Sequence, residues 1–464
     1  MANSFGFGPS NNADDPNDPS KKPGEGSDGG FGFGSPFSHL PLNFNELFAQ
    51  FAQFGISPET LFSAGSTNSP LLATQTIREI ARRFIATQSE LPVGSVDMEK
   101  FHQALEIAQT WLDSATIFPA TSSLKQSAWS RTEWLNNSLA GWQYLFEPLA
   151  QGMAEAMSKV ISEAQSQFQQ TDETLTPLGT EGTPSAQSPE AMALAAIAPI
   201  VRSFMGSLIA TQLGNSIGQL GLKVTGSHDV GLPLFTSPDV HLLPQNVLVW
   251  REGLENPEEE VMLFLALREA ASARLFAHTP WLTDYIRATI AQYGKGIRVD
   301  IHHIQEQAES AINSGEIDFN NPDSISLAIN QGLFTPEQSQ AQDQALAKLE
   351  MILALIEGWI DHVTSLAGSA LLPNFNALNE MIRRRRATAS PTQQLFATLL
   401  GLEVSPRKTR ECTQFWSEVK ELRSLEDRDH RWDDPVLLPT AADLADTQKF
   451  LESTTAPDDL SGLI

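Results

Sequence analysis

The chain has 464 residues, of which 41% are hydrophobic, so it can bury a substantial core and form two or three domains. Its formal net charge of −26 makes nucleic acid and anionic membranes unfavourable partners, and we expect a protein or peptide partner instead. The single cysteine, Cys412, and the lack of a signal-like leader or a run of about 18 apolar residues predict a cytoplasmic protein without disulfides.

The first forty residues are rich in glycine and proline and carry the segment FGFG twice, at Phe5–Gly8 and Phe31–Gly34. A segment of this composition buries too little apolar surface to offset the entropy lost on ordering, so we predict a disordered tail. Its phenylalanines are interpreted either as short docking motifs or, more simply, as apolar positions in a flexible tail.

From Leu42 to Phe168 apolar residues recur at spacings of three and four, which is typical of amphipathic helices. Trp129, Trp134 and Trp142 lie within this region and are interpreted as core anchors of a helical bundle. The following stretch, TDETLTPLGTEGTPSAQSPE, lacks this periodicity and is rich in turn-forming residues, so it predicts a linker.

A small-residue segment, AMALAAIAPIVRSFMGSLIATQLGNSIGQLGL, then predicts a helix suited to close packing. GSHDVGLPLF and QNVLVW are the only segments that resemble strands. We therefore expect a small sheet or hairpin before the next helix.

The segment PEEEVMLFLALREAASARLFAH predicts a helix of about six turns. Asn256 is the expected N-cap and Pro257 the first helical residue, with Glu259 at the spacing of a capping box. Pro280 should end the helix near His278.

A further long helix is predicted from about Pro336, and it becomes almost wholly apolar around MILALIEGWI. Glu357 and Asp361 lie four residues apart on one face of it, and a buried carboxylate there requires a partner. The run Arg383–Arg386 could bind phosphate, but intramolecular acidic partners are favoured in a chain this acidic.

The helix that contains Arg268 has the frame of a zinc-protease helix without its histidines. Such a helix places two imidazoles four residues apart, a water-activating glutamate directly after the first, and a third ligand on another element. Glu269 keeps the position of the base, and Glu357 is a candidate third ligand, whereas Arg268 and Ser272 occupy the two imidazole positions.

Five segments in order, LALREAASARLFAHTPWL, LIEGWIDHV, MIRRRRA, LLGLE and RDHRWDDPVLLPTAADL, resemble the actinobacterial zincin-like hydrolases, often labelled zinc-dependent metalloproteases. A sister group is named for its association with deazaflavin coenzyme biosynthesis. The similarity extends from about Leu42 to Phe450. It implies a mainly α-helical zincin-like core with a small β element, a zinc cofactor and hydrolysis of peptide or amide bonds.

The resemblance also implies roles for individual residues. Arg268 falls on the first zinc-binding histidine, Glu269 on the base, Ser272 on the second histidine and Glu357 on the glutamate of the downstream helix. The nearer branch of the family often has arginine first but keeps the second histidine. This chain departs from both branches, and we expect it to bind no zinc.

Arginine has no lone pair to offer a metal and serine is a weak zinc ligand, so the motif is degenerate. We hypothesise that the Arg268 guanidinium stands where the metal charge would be and forms bidentate hydrogen bonds with Glu357. Glu269 is then either a surviving base or a carboxylate paired with Arg268 or Arg274.

A rearranged metal site would use His278 or His362 with Glu357 and Asp361. The other histidines of this half are interpreted as polar contacts: His228, His241, His302 and His303.

The domain division predicted from these patterns is a disordered tail at 1–40, a helical N-terminal region at 41–170, a linker at 171–189, a zincin-like core at 190–455 and a flexible C-terminus at 456–464. Three functions remain open. The first is a zincin-like protein that has lost zinc and catalysis and serves as a cytoplasmic binding or structural protein. The second is an active metal-dependent peptidase with Glu269 as base, and the third is a helical scaffold that binds partners through its tail and arginine run.

Overall fold

The structure is a computed structural model that describes residues 70–120, 128–173, 189–237, 239–297, 339–389, 391–400 and 406–453. The predicted tail at 1–40, most of the predicted linker and the predicted C-terminal segment at 456–464 lie outside the described residues.

Within the described residues the chain is mainly α-helical, as the periodicity predicts. Its helices are α1 (Thr74–Ala86), α2 (Ser95–Leu112), α3 (Arg131–Glu173), α4 (Pro189–Gly221), α5 (Pro244–Arg251), α6 (Glu258–His278), α7 (Trp281–Lys295), α8 (Gln340–Gly368), α9 (Phe375–Ala389), α10 (Pro391–Leu400), α11 (Pro406–Leu422), α12 (Leu425–His430) and α13 (Thr447–Ser453).

One contiguous hydrophobic core joins these helices. The small-residue helix α4 packs against α1, α3 and α10, and α3 also packs against α7. Trp134 and Trp142 of α3 are fully buried, which confirms their interpretation as core anchors. Trp129 is partly buried and stacks on His241, with their ring centroids 3.6 Å apart.

Helices α6 and α8 pack against each other and position the candidate site. Helix α6 packs against α2 and α8, and α8 also packs against α7 and α11. A Cβ atom on Gly358 would lie 2.8 Å from the Cβ of Cys412. Because glycine has no side chain, α8 can approach α11 closely at this position.

A buried arginine holds α6 against the end of α2. Arg274 donates hydrogen bonds to the backbone oxygens of Gln109 at 2.9 Å and Phe118 at 3.1 Å, and it pairs with Asp113 at 2.7 Å. These contacts join α6 to the last turn of α2 and to the segment that follows it. The orientation of α6, and hence of Arg268, is fixed in part by this contact.

The segment QNVLVW is helical, so the prediction that it is extended is wrong. Pro244 occupies the first turn of α5. Val247 and Trp250 are buried while Leu248 and Val249 are exposed, which is a helical and not an alternating pattern. Asn246 anchors the helix from its buried face through hydrogen bonds to the carbonyl oxygens of Gly221 at 3.0 Å and Val224 at 2.7 Å.

The predicted small β element is reduced, in the described residues, to isolated bridges, of which one antiparallel bridge joins Gly226 to Leu242. The backbone hydrogen bonds around it join Ser227 to His241 at 2.9 Å and Leu243 to Thr225 at 2.9 Å. This short pairing holds the segment 225–229 beside the middle of α6.

Helix α6 begins one residue later than predicted and without the predicted cap. Pro257 is the N-cap residue, with extended backbone angles, and Asn256 plays no capping part. Glu258 instead pairs with Lys100 at 2.6 Å and with Arg251 at 2.6 Å. The predicted end at His278 is confirmed.

Candidate functional site

The candidate site centres on Arg268, in the middle of α6. Its Nη2 atom lies 2.5 Å from Oε1 of Glu357, and its Nη1 atom lies 3.0 Å from Oδ1 of Asp361, both on α8. The predicted contact between Arg268 and Glu357 is therefore present. The guanidinium is divided between two carboxylates, however, so the bidentate arrangement expected with Glu357 alone is wrong.

Helix α9 adds two further arginines to the same group of charges. Arg383 contacts Oδ2 of Asp361 at 2.7 Å, and Arg386 contacts Oε2 of Glu357. Arg386 also pairs with Oδ1 of Asp229 at 3.1 Å. Both oxygens of Glu357 are thus held by arginines, Oε1 from α6 and Oε2 from α9.

These residues form what we call the arginine network: Arg268, Arg383, Arg386, Asp229, Glu357 and Asp361. Its three positive and three negative charges balance, which is what burial of ions requires. Burial and repulsion from Arg268 lower the pKa of Arg386 to about 10, so Arg386 still carries its charge at neutral pH.

The remainder of the arginine run is also used inside the molecule. Arg384 pairs with Glu380 at 2.8 Å on the same helix. Arg385 donates to the backbone oxygen of Trp250 at 2.5 Å and lies over its indole ring, 4.6 Å from the ring centroid. Intramolecular acidic partners are confirmed for three of the four arginines, and an aromatic partner takes the fourth.

Ser272 lies one turn after Arg268 on the same buried face of α6. Its hydroxyl donates to the carbonyl oxygen of Arg268 at 3.0 Å, a contact within the helix. Ser272 thus serves the backbone of its own helix.

Glu269 points away from the arginines. Its Oε1 atom accepts hydrogen bonds from the hydroxyl of Ser227 at 2.5 Å, from the backbone N–H of His228 at 2.7 Å and from Nδ1 of that histidine at 2.8 Å. The predicted pairing of Glu269 with Arg268 or Arg274 is wrong, because the bridge at Gly226 brings a nearer set of donors to this carboxylate.

The other oxygen of Glu269 lies against the backbone of the same segment. A Cβ atom on Gly226 would be 2.3 Å from Oε2 of Glu269, so only glycine leaves room for the carboxylate. Glu269 is 3% exposed and is enclosed on both of its oxygens.

The segment Ser227–Asp229 connects the two halves of the site. Ser227 and His228 hold Glu269, while Asp229 pairs with Arg386, which in turn contacts Glu357. The role of this segment was not predicted from the sequence. The adjacent histidine and aspartate in GSHDVG were its only signal, and nothing in their spacing indicated two different partners.

His278 and His362, the histidines of the predicted rearranged metal site, make other contacts. His278 stacks on Phe118 at a centroid distance of 5.0 Å, and its Nδ1 atom lies 2.8 Å from the carbonyl oxygen of Arg274. Burial, with Arg428 and Lys420 nearby, lowers the pKa of His362 to about 3. Nε2 of His362 is buried without a hydrogen-bond partner among the described residues.

The family model for zincin-like metallopeptidases matches residues 73–451, which is most of the chain. The chain belongs to the zincin-like metallopeptidase family. No curated protein matches it. A crystal structure of "a putative hydrolase with a novel fold" from Chloroflexus aurantiacus has a similar fold, with a TM-score of 0.52 and 16% identity over 82% of this chain and 98% of that one.

The residues of this zincin-like protein do not fit the zinc of its family. Arg268 offers a positive charge in place of a lone pair, the hydroxyl of Ser272 is used within α6, and both oxygens of Glu357 contact arginines. In the part of the chain that the structure describes, no three side chains of histidine, cysteine, aspartate or glutamate are grouped to hold a metal ion. None of the described helices is long and apolar enough to cross a membrane.

Proposed function

We propose that this zincin-like protein has exchanged its zinc centre for the arginine network and works as a cytoplasmic binding or structural protein. The observation that carries the proposal is the enclosure of Glu357 between Arg268 and Arg386. A zinc ion at the same carboxylate would have to displace one guanidinium and then lie beside an uncompensated arginine, which electrostatic repulsion opposes.

The environment of Glu269 supports the same proposal. A general base must reach a water molecule that faces the substrate. The Oε1 atom of Glu269 already accepts three hydrogen bonds, and its side chain is buried against Gly226. Its contacts suit a structural role, in which it joins α6 to the segment Ser227–Asp229.

The competing function is that of a metal-dependent peptidase with Glu269 as base. The metal content of the full chain, purified without chelators, incubated with excess zinc and desalted, separates the two functions. We expect far less than stoichiometric zinc by elemental mass spectrometry.

Stoichiometric zinc that disappears in Glu357→Ala, but not in the control Glu380→Ala, would overturn the proposal. Glu380 suits the control because it is an exposed acid of α9 that pairs with Arg384 of the same helix. Peptidase activity lost in a folded Glu269→Gln protein would also overturn it.

A further inference from the structure

Four exposed apolar side chains lie on and beside α5, outside the arginine network. Its members are Leu91, 55% exposed, Val96, 65%, Leu248, 45%, and Val249, 46%. We call these four residues the α5 surface. Single exposed apolar residues are ordinary, but several that the fold brings to one side of the molecule mark a candidate binding surface.

Two polar side chains, Gln245 and Glu258, link α5 to the segments that carry Leu91 and Val96. At one end, Gln245 accepts from the backbone N–H of Leu91 at 3.0 Å and donates to the carbonyl oxygen of Ser89 at 2.6 Å. Leu248 and Val249 follow Gln245 by three and four residues, so they lie one turn further along the same side of α5.

At the other end, Glu258 pairs with both Lys100 of α2 and Arg251, the last residue of α5. Val96 lies one turn before Lys100 on the same side of α2. The four apolar side chains therefore lie between two cross-links that join α5 to the residues around α2.

The rim of this surface is acidic. Glu252, Glu255 and Glu259 are exposed beyond the end of α5, and the nearby cations Lys100 and Arg251 both pair with Glu258, so four carboxylates face two cations. Apolar side chains surrounded by carboxylates complement an amphipathic segment whose polar face is basic.

We propose that the α5 surface binds a basic amphipathic helix of a partner protein. This proposal names a class of partner for the binding role proposed above, and its biological meaning rests on that role. Its test is a binding measurement, so its failure is distinguishable from the appearance of zinc in the metal assay.

The probe is a fluorescent helical peptide of about five turns with leucines on one face and lysines on the other. Fluorescence anisotropy with the full chain should show binding that weakens in high salt. The double substitution Leu248→Ser and Val249→Ser should weaken it by about tenfold or more. The matched control, Leu366→Ser with Leu371→Ser, changes two exposed leucines outside the α5 surface and should leave it unchanged.

The acidic rim has its own test. Glu252→Lys with Glu255→Lys should weaken binding of the lysine peptide and strengthen that of the same peptide with glutamates for lysines. Equal affinities for the wild-type, Leu248→Ser/Val249→Ser and charge-reversed chains would overturn the proposal.

A photo-cross-linking amino acid in place of Leu248 in the full chain identifies which molecule or segment lies on the α5 surface. A cross-link between position 248 and the fluorescent lysine peptide that disappears when excess unlabelled lysine peptide is added supports the proposal. Cross-links to residues 1–69 would show that the chain covers this surface itself, and cross-links to a second copy, with dimers in light scattering, would show self-association. Either result overturns the proposal.

Discussion

Arg268 of α6 and Glu357 of α8 form an ion pair with an N–O distance of 2.5 Å. The resemblance to zincin-like hydrolases predicts a zinc ligand at each of these two positions. The pair links the two helices that carry the site. If the Arg268 guanidinium is removed, each carboxylate keeps one arginine, because Glu357 also contacts Arg386 and Asp361 also contacts Arg383. The network then has one positive charge fewer than it has negative charges.

We expect Arg268→Ala to lower the free energy of unfolding by about 3 kcal/mol or more, because it unbalances a buried ion network and leaves a cavity. Urea unfolding followed by circular dichroism measures the change. The control is Arg384→Ala, which removes an exposed pair within one helix and should change stability by about 0.5 kcal/mol or less. A similarly small effect of Arg268→Ala would contradict the role given to the network.

Zinc binding should be recoverable in a stepwise manner. Arg268→His with Ser272→His places two imidazoles four residues apart on the buried face of α6, the spacing of a zincin helix. We expect weak zinc binding, because Arg386 still occupies Oε2 of Glu357.

Adding Arg386→Gln to these two substitutions should strengthen zinc binding by about tenfold or more, since Glu357 is then released. Competition with a zinc indicator measures both affinities, and Arg384→Gln added to the same pair is the control. Equal affinities with and without Arg386→Gln would show that this arginine does not limit metal access.

Glu269→Gln tests the structural role of the position that resembles a catalytic base. The substitution keeps the shape of the side chain but removes the charge that three donors share, so we expect a loss of about 1–3 kcal/mol in the free energy of unfolding. Glu259→Gln, on the exposed side of the same helix, is the control. A variant as stable as the wild type would argue that Glu269 is kept for chemistry.

His362 should make the protein sensitive to mild acid. Its pKa is about 3 in the folded chain and 6.5 in the unfolded one, so between these values the unfolded state binds more protons and stability falls as pH falls. Above the pKa of His362 in the unfolded chain, no stability is lost through this residue. Below it, the loss of stability grows as pH falls, down to the pKa in the folded chain.

From about pH 7 to about pH 5 this histidine alone should remove about 2 kcal/mol of stability. Urea unfolding at both pH values measures the loss, and His362→Leu should reduce it by that amount. His430→Gln changes an exposed histidine paired with Asp433 and serves as the control. An unchanged pH dependence in His362→Leu would show that another group is responsible.

Much of the helical structure could be predicted because it depends on local periodicity. The end of α6 at His278 followed from Pro280, and the burial of Trp134 and Trp142 followed from their large apolar rings in a helical region. QNVLVW was misassigned because a six-residue apolar segment fits a strand or a helix, and the contacts of Asn246 with the end of α4 decide between them.

The sequence by itself determined that arginine and serine, not two histidines, stand four residues apart at 268 and 272, and no folding gives these side chains the lone pairs of an imidazole. It also indicated that Glu357 and Asp361 share a helical face and need cationic partners. Only the tertiary structure decided which cations those are. Arg268, Arg383 and Arg386 come from two other helices, and the partners of Glu269 come from a segment 41 residues away, because hydrogen bonds and ion pairs depend on distances in space that sequence spacing does not specify.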